Sequence, residues 1–182
     1  AIPGGAAGTV ARAYGRLFPA TRIDSVEIDG ELTEVGRRLF DLHGPNLYTH
    51  VDDARPWLRR TDRRFDVIYV DAYRQPYIPF YLATQEFFEL ARDRLTPGGA
   101  VIVNVGHPAD SPALERALTA TIRAALPHVA RDAAQPTNTQ VIATTSAAPS
   151  AGRLLRADLP RPLRPLAERT AARLQPGLSG GD

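Results

Sequence analysis

The 182-residue sequence contains no cysteine. That excludes a disulfide framework, thiol catalysis and cysteine-ligated metal, and is compatible with a cytoplasmic address. Lysine is absent too, so all 22 basic residues are arginine, which together with the many alanines and prolines is consistent with coding bias. No apolar run approaches the roughly 18 residues that cross a bilayer, and no basic start leads through an apolar segment to a small-residue cleavage site. A membrane span or intact signal peptide is therefore not expected. The four histidines, at 43, 50, 107 and 128, lack metal-ligand spacing, so no metal site is assigned. No serine stands in a nucleophile-elbow sequence, which leaves hydrolysis by an activated serine without support.

Charge of one sign is also scarce over most of the chain. Residues 1–148 hold 16 Arg against 17 acids, whereas residues 149–182 hold six Arg against three. The near-neutral body offers no basic stripe for a phosphate backbone, so nucleic acid is not an expected partner. A chain of this length forms one domain around one core.

What is present is an alternation of strands and helices. "TVARAYGRLF" sets Val10, Ala13, Tyr14, Leu17 and Phe18 at helical spacing, with Thr9 as candidate cap and Pro19 as stop. "RIDSVEID" reads as a strand, residues 31–41 as a helix, "NLYTHVDD" as a strand ending in two acids, and "ARPWLRR" as a short helix. "FDVIYVD" is apolar enough for the middle of a parallel sheet. Then follow the helix "TQEFFELARDRL", the turn "TPGG", the buried strand "AVIVNV", a helix over residues 112–126 and the strand "TQVIATTS". This order predicts a doubly wound, mainly parallel α/β sheet with helices on both faces. From Pro149 the character changes, with five prolines in 34 residues and a helical pattern only around "PLAERTAARL". Residues 149–182 read as a Pro/Arg-rich extension that wraps the domain or meets a partner.

The chemistry concentrates at the strand ends. "GGAAGT" carries Gly4, Gly5 and Gly8 in a different register from the dinucleotide fingerprint. Small residues let the backbone approach a ligand, and the next helix presents free amides to it. The competing reading is a tight structural turn. Glu27 lies 19 residues beyond Gly8 at the end of the following strand, where an acid accepts hydrogen bonds from the two hydroxyls of a ribose. Asp53 is placed to accept from the exocyclic amine of adenine while the backbone at Ala54 addresses the ring; Asp52 is assigned to capping the next helix, and a second cap is the alternative for Asp53. Asp71 closes the most buried strand, where it can orient an attacking amine or neutralise a cation. The loop after it, "AYRQPYIPFY", supplies Tyr73, Tyr77, Phe80 and Tyr81, either as walls of an acceptor pocket or as packing for the loop itself. The turn opens almost at the first residue, with only Ala1 and Ile2 where its strand belongs, so a fragment whose first strand lies upstream is expected.

The ordered set "GGAAGTVARAYG", "VEIDGELTEVGRRLF", "VDDARPWLRR", "FDVIYVDAY", "ATQEFFELARDRLTPGG" and "VIVNV" resembles the Rossmann-like domain of the spermidine synthase family, the polyamine aminopropyltransferases, within the wider class I methyltransferase fold. The resemblance covers residues 3–148. It implies S-adenosylmethionine or its decarboxylated form as donor, held by Gly5, Gly8, Glu27, Asp53 and Ala54, with Asp71 near the sulfonium and Tyr73, Arg74 and Tyr77 near an amine or other nucleophilic acceptor. It also implies a homodimer and a small β-domain upstream of Ala1. Aminopropyl-transferring members typically carry a second aspartate three positions after the one matched by Asp71. Here that position is Arg74, a charge that opposes a polycationic amine. The expected activity is thus aminopropyl transfer to a divergent acceptor. Methyl transfer and a non-catalytic binding or assembly module on the same fold are the alternatives.

Overall fold

In this computed structural model, residues 1–72 and 78–179 are described. The apolar segments become strands β1 (Ile2–Pro3), β2 (Ile23–Glu27), β3 (Leu47–Val51), β4 (Phe65–Val70), β5 (Leu95–Gly106), β6 (His128–Gln135), β7 (Asn138–Thr144) and β8 (Gln175–Pro176). Between and after them lie helices α1 (Thr9–Leu17), α2 (Gly30–Leu39), α3 (Ala54–Arg60), α4 (Gln85–Asp93), α5 (Ala113–Ala125), α6 (Ala151–Leu155) and α7 (Arg164–Arg173). Strands β1, β2 and β3 pair in parallel, as do β4 and β5. Backbone bonds join the two groups: Tyr69 N–H donates to Ala1 O and Asp71 N–H to Pro3 O, both at 2.9 Å. Donors and acceptors advance together along the two chains, so β1 lies parallel to β4 and the strand order reads β3-β2-β1-β4-β5-β7-β6-β8.

The main core fills one face of the β4–β5–β7 region. Alternate residues Val101, Val103 and Val105 of β5 meet Val141 and Ala143 of β7, and Phe87, Phe88, Leu118 and Ile122 of α4 and α5 cover them. The expected doubly wound α/β architecture is present. Some particulars differ from expectation. Gly8, not Thr9, is the N-cap of α1. "TPGG" does not end an element: it forms an irregularity within β5, whose pairing steps from Leu95–Phe65 to Ala100–Val67. The far edge is antiparallel, because β6 and β7 form a hairpin, with β7 against β5. Strand β6 escapes sequence reading because "HVARDAAQ" has one β-branched residue and no clean alternation. In the C-terminal extension, β8 pairs with β6 and Arg173 forms a two-bond ion pair with Asp132.

Among the described residues, Glu115 is the charged side chain with no exposure. Glu115, in the first turn of α5, accepts from Arg131 Nε at 2.5 Å and Nη2 at 2.9 Å, and from Thr139 Oγ1 at 3.1 Å. Removing the carboxylate strands the half of the pair that stays behind. Glu115→Ala is expected to cost about 3 to 5 kcal/mol of folding stability. Urea unfolding checks this, and a loss below about 1 kcal/mol would show that Arg131 finds water instead.

Candidate active site

The connections to the sheet reverse direction between β1 and β4, which opens a crevice at the carboxyl ends of the strands. A cavity of about 400 Å³ occupies it, lined by Gly4, Ala6, Val26, Glu27, Ile28, Leu32, Asp52, Ala54, Asp71, Ala72, Pro79, Tyr81 and Leu82. A second cavity of about 370 Å³ lies at the opposite, amino-terminal ends of the strands. Its buried acid, Asp24, is already paired with Arg22 and His50. The switch-point crevice is therefore the candidate site.

The glycines of the first turn act through packing. Gly8 has φ +84°, and a Cβ there would stand 2.1 Å from Leu42 Cδ1. A Cβ on Gly5 would meet Ser25 Oγ at 1.9 Å. Both residues are buried and face the protein, so they shape the turn, while Gly4 and Ala6 line the cavity. The turn is held from the other side by Glu27. Its Oε2 accepts from Ala6 N–H at 2.9 Å and its Oε1 from Asp29 N–H at 3.0 Å. Each carboxylate oxygen keeps a further lone pair, and the half-buried group lines the cavity. This geometry suits a vicinal diol.

Of the two acids after β3, Asp53 and not Asp52 caps the next helix, the alternative considered for it. Asp53 is the N-cap of α3, its Oδ1 accepting from Arg55 N–H at 2.9 Å. Asp52 lines the cavity and pairs with Arg60 on its outer side. The cap falls to Asp53 because α3 begins at Ala54, one residue after it. Ala54 lines the cavity as expected.

Asp71 follows β4 directly and borders the cavity. Burial raises its pKa above the ordinary carboxylate range, and a hydrogen bond from Asn104 Nδ2 to its Oδ1, 2.7 Å, opposes that rise. Asn104 in turn accepts from Gln140 Nε2 at 2.6 Å. Sequence reasoning missed both amides. The available signal was one polar residue inside the apolar run "VIVNV", and it points nowhere until β7 is set beside β5. Tyr81 lines the cavity, whereas Phe80 is 81% exposed. Tyr73, Arg74 and Tyr77 lie outside the described residues. Three carboxylates, Glu27, Asp52 and Asp71, thus border the cavity; Asp52 is paired with Arg60, and no cationic side chain is among the described lining residues. Such a site attracts a cation. No cluster of three His, Asp or Glu side chains able to hold a metal occurs among the described residues.

Comparison with known proteins places this geometry in context. The family model described as the spermine/spermidine synthase domain matches residues 1–147. A probable polyamine aminopropyl transferase of Bifidobacterium longum is 36% identical over 122 residues, 66% of this chain and 27% of that protein. A polyamine aminopropyltransferase of Mycobacterium tuberculosis is 33% identical over 135 residues, 68% of this chain and 26% of that protein. The chain thus spans about a quarter of the length of these curated relatives. Among solved structures, a probable spermidine synthase from Corynebacterium glutamicum superposes with TM-score 0.72 and 27% identity, covering 100% of this chain and 73% of that one.

The paired acceptor role of Glu27 yields a local test. In Glu27→Gln one carboxylate oxygen becomes an NH₂ group, which cannot accept from either Ala6 or Asp29. One of those backbone donors then loses its partner; both bonds are exposed, so water replaces it and the cost stays below about 1 kcal/mol. Amide hydrogen exchange should accelerate at Ala6 or Asp29 while the exchange of β5 and β7 is unchanged. Unchanged exchange at both positions would show that Glu27 does not hold the turn.

Proposed function

The chain belongs to the spermine/spermidine synthase family, and from that premise we propose that it transfers an aminopropyl group from decarboxylated S-adenosylmethionine to an amine or other nucleophilic acceptor. The observation that carries this reading is the sign of the cavity: Glu27 and Asp71 have no ion pair among the described residues, Asp52 is paired with Arg60, and no cation is among the described lining residues. Decarboxylated S-adenosylmethionine carries a sulfonium and an ammonium, whereas the intact form adds a carboxylate that these acids oppose.

In this reading the two free lone pairs of Glu27 hold the ribose hydroxyls, the turn at Gly4–Ala6 approaches the donor, and Asp52 and Ala54 flank the adenine. Gly5 and Gly8 support the site by shaping the turn, and Asp53 does so by fixing the start of α3. Asp71 takes the proton lost from the acceptor nitrogen. The freed nitrogen lone pair forms a bond to the carbon beside the sulfonium, and the carbon–sulfur bond breaks with its electrons leaving on the neutral thioether. Burial favours this role, because an acid whose pKa is raised binds a proton more readily in mid-reaction. The remaining contribution of the protein is alignment and exclusion of water.

The acceptor is proposed to diverge from putrescine because Arg74 stands where the resemblance expects a second acid. Tyr73 and Tyr77 share that segment and are proposed to contact the acceptor. A methyl-transfer reading rests on the same residue, since a guanidinium suits the carboxylate of intact S-adenosylmethionine. Human methyltransferase-like protein 13, solved with SAH, shares the fold at TM-score 0.71 and 20% identity.

Two measurements separate these readings. Calorimetry should show decarboxylated S-adenosylmethionine binding at least about tenfold more tightly than the intact form, the factor expected from about 1.4 kcal/mol of charge mismatch. Equal or reversed affinities would overturn the choice of donor. In product analysis with putrescine, the protein should show weak or no transfer and Arg74→Asp should improve binding of the cationic amine. Robust transfer to putrescine by the unmodified protein would overturn the divergent acceptor.

A further inference from the structure

The hydrogen bonds behind Asp71 have a direction. A carboxylate can only accept, so the face that Asn104 turns to Asp71 Oδ1 must be its Nδ2, 2.7 Å away. Asn104 Oδ1 then points along the sheet and takes Gln140 Nε2 at 2.6 Å. These contacts follow from register, because Asn104 stands opposite Gln140 in the β5–β7 ladder and Val103, its neighbour, opposite Val70, the residue before Asp71. The relay ends at Gln140 Oε1, which is shielded from solvent and has no hydrogen-bond partner among the described residues.

That last atom separates two explanations. An amide pair kept only to join strands would end in a satisfied acceptor or give way to apolar residues, since a buried orphan carbonyl is destabilising. Here the charge at the other end fixes which atom of Gln140, Oε1, is turned away from the relay. We propose that Asn104 and Gln140 are positioning residues for Asp71, an amide relay that pins Oδ1 and leaves Oδ2 to receive the proton of the acceptor nitrogen. The proposal rests on the aminopropyl-transfer reading for the identity of that proton donor. Its geometry does not.

The charged groups around Asp71 are few. Glu27 at the end of β2 and Asp52 after β3 share the cavity with it, Asp52 being paired with Arg60. Asp132, opposite Gln140 on β6, is neutralised by Arg173. His107, beyond the end of β5, turns to Thr139 and Glu115. No described cation faces Asp71 across the cavity, so the relay is the one group shown to offset its burial.

The test uses Asn104→Leu and Gln140→Met, read in two ways. Carbon-13 NMR follows the titration of the Asp71 carboxyl, and the pH profile of kcat/KM follows transfer from decarboxylated S-adenosylmethionine to an accepted amine. Loss of the bond from Asn104 favours the protonated acid, so the midpoint and the acidic limb should both move to higher pH. The expected displacement is about one pH unit for Asn104→Leu and a few tenths for Gln140→Met. On the plateau, kcat should fall about fivefold to tenfold in each variant with the donor KM unchanged. Gln140→Met preserves side-chain length and does not touch Asp71, so it carries the test if Asn104→Leu fails to fold. An unchanged Asp71 midpoint in folded Gln140→Met overturns the relay. A displaced midpoint in a protein that transfers nothing upholds the relay and overturns the functional reading instead.

Discussion

The site depends on a seam three residues wide. Residues 1–3 lie between β2 and β4, and their backbone holds both: Ala1 and Pro3 carbonyls accept from Tyr69 and Asp71, while Gly4 N–H donates to Val26 O at 2.9 Å. Glu27 and Asp52 stand on the β2–β3 side of this seam and Asp71 on the β4 side. The spacing of the acids across the cavity is therefore a backbone quantity, set by parallel ladder geometry. Gly4 follows the seam immediately. A Cβ there would lie 2.5 Å from Asp71 O, so the turn and Asp71 can be this close only because residue 4 has no side chain.

Much of this was legible in the chain, and the reasons are local. "ARPWLRR" becomes α3 with the boundaries read from sequence, and "FDVIYVD" becomes β4 but for its last residue, because a cap-competent acid starts the first and a continuous β-branched and aromatic run defines the second. The ends of parallel strands collect functional groups for topological reasons, which is why Glu27, Ala54 and Asp71 could be placed at one cavity without coordinates. What failed was whatever required one-residue precision or a partner strand. Asp52 and Asp53 are chemically equivalent in sequence, and only the start of α3 decides which one caps and which faces the cavity. Asn104 and Gln140 acquire meaning solely from the antiparallel register of β5 and β7, a pairing 36 residues apart.

The glycine-rich turn carries a related lesson. Its sequence suggests that small residues make room for a ligand, yet Gly5 and Gly8 make room for Ser25 and Leu42. The cavity side of the turn is left to Gly4 and Ala6. The same motif thus serves two constraints, close packing on its inner side and an open backbone on its outer side. Glu27 joins them by holding the Ala6 amide while presenting its remaining lone pairs to the cavity.

The C-terminal segment differs from the body in composition but not in connection. β8 extends the sheet beside β6, Arg173 neutralises Asp132, and Arg123 of α5 donates to the carbonyls of Gly177 and Leu178 at 3.0 and 3.1 Å. Asp132 is itself buried and stands opposite Gln140. Without Arg173, a bare buried carboxylate would stand opposite the amide whose orientation Asp71 sets. The arginine offsets that charge through bonds to both oxygens of Asp132. The charge pairing of the extension and the polarity of the relay behind Asp71 are in this way parts of one electrostatic arrangement across β4, β5, β7 and β6.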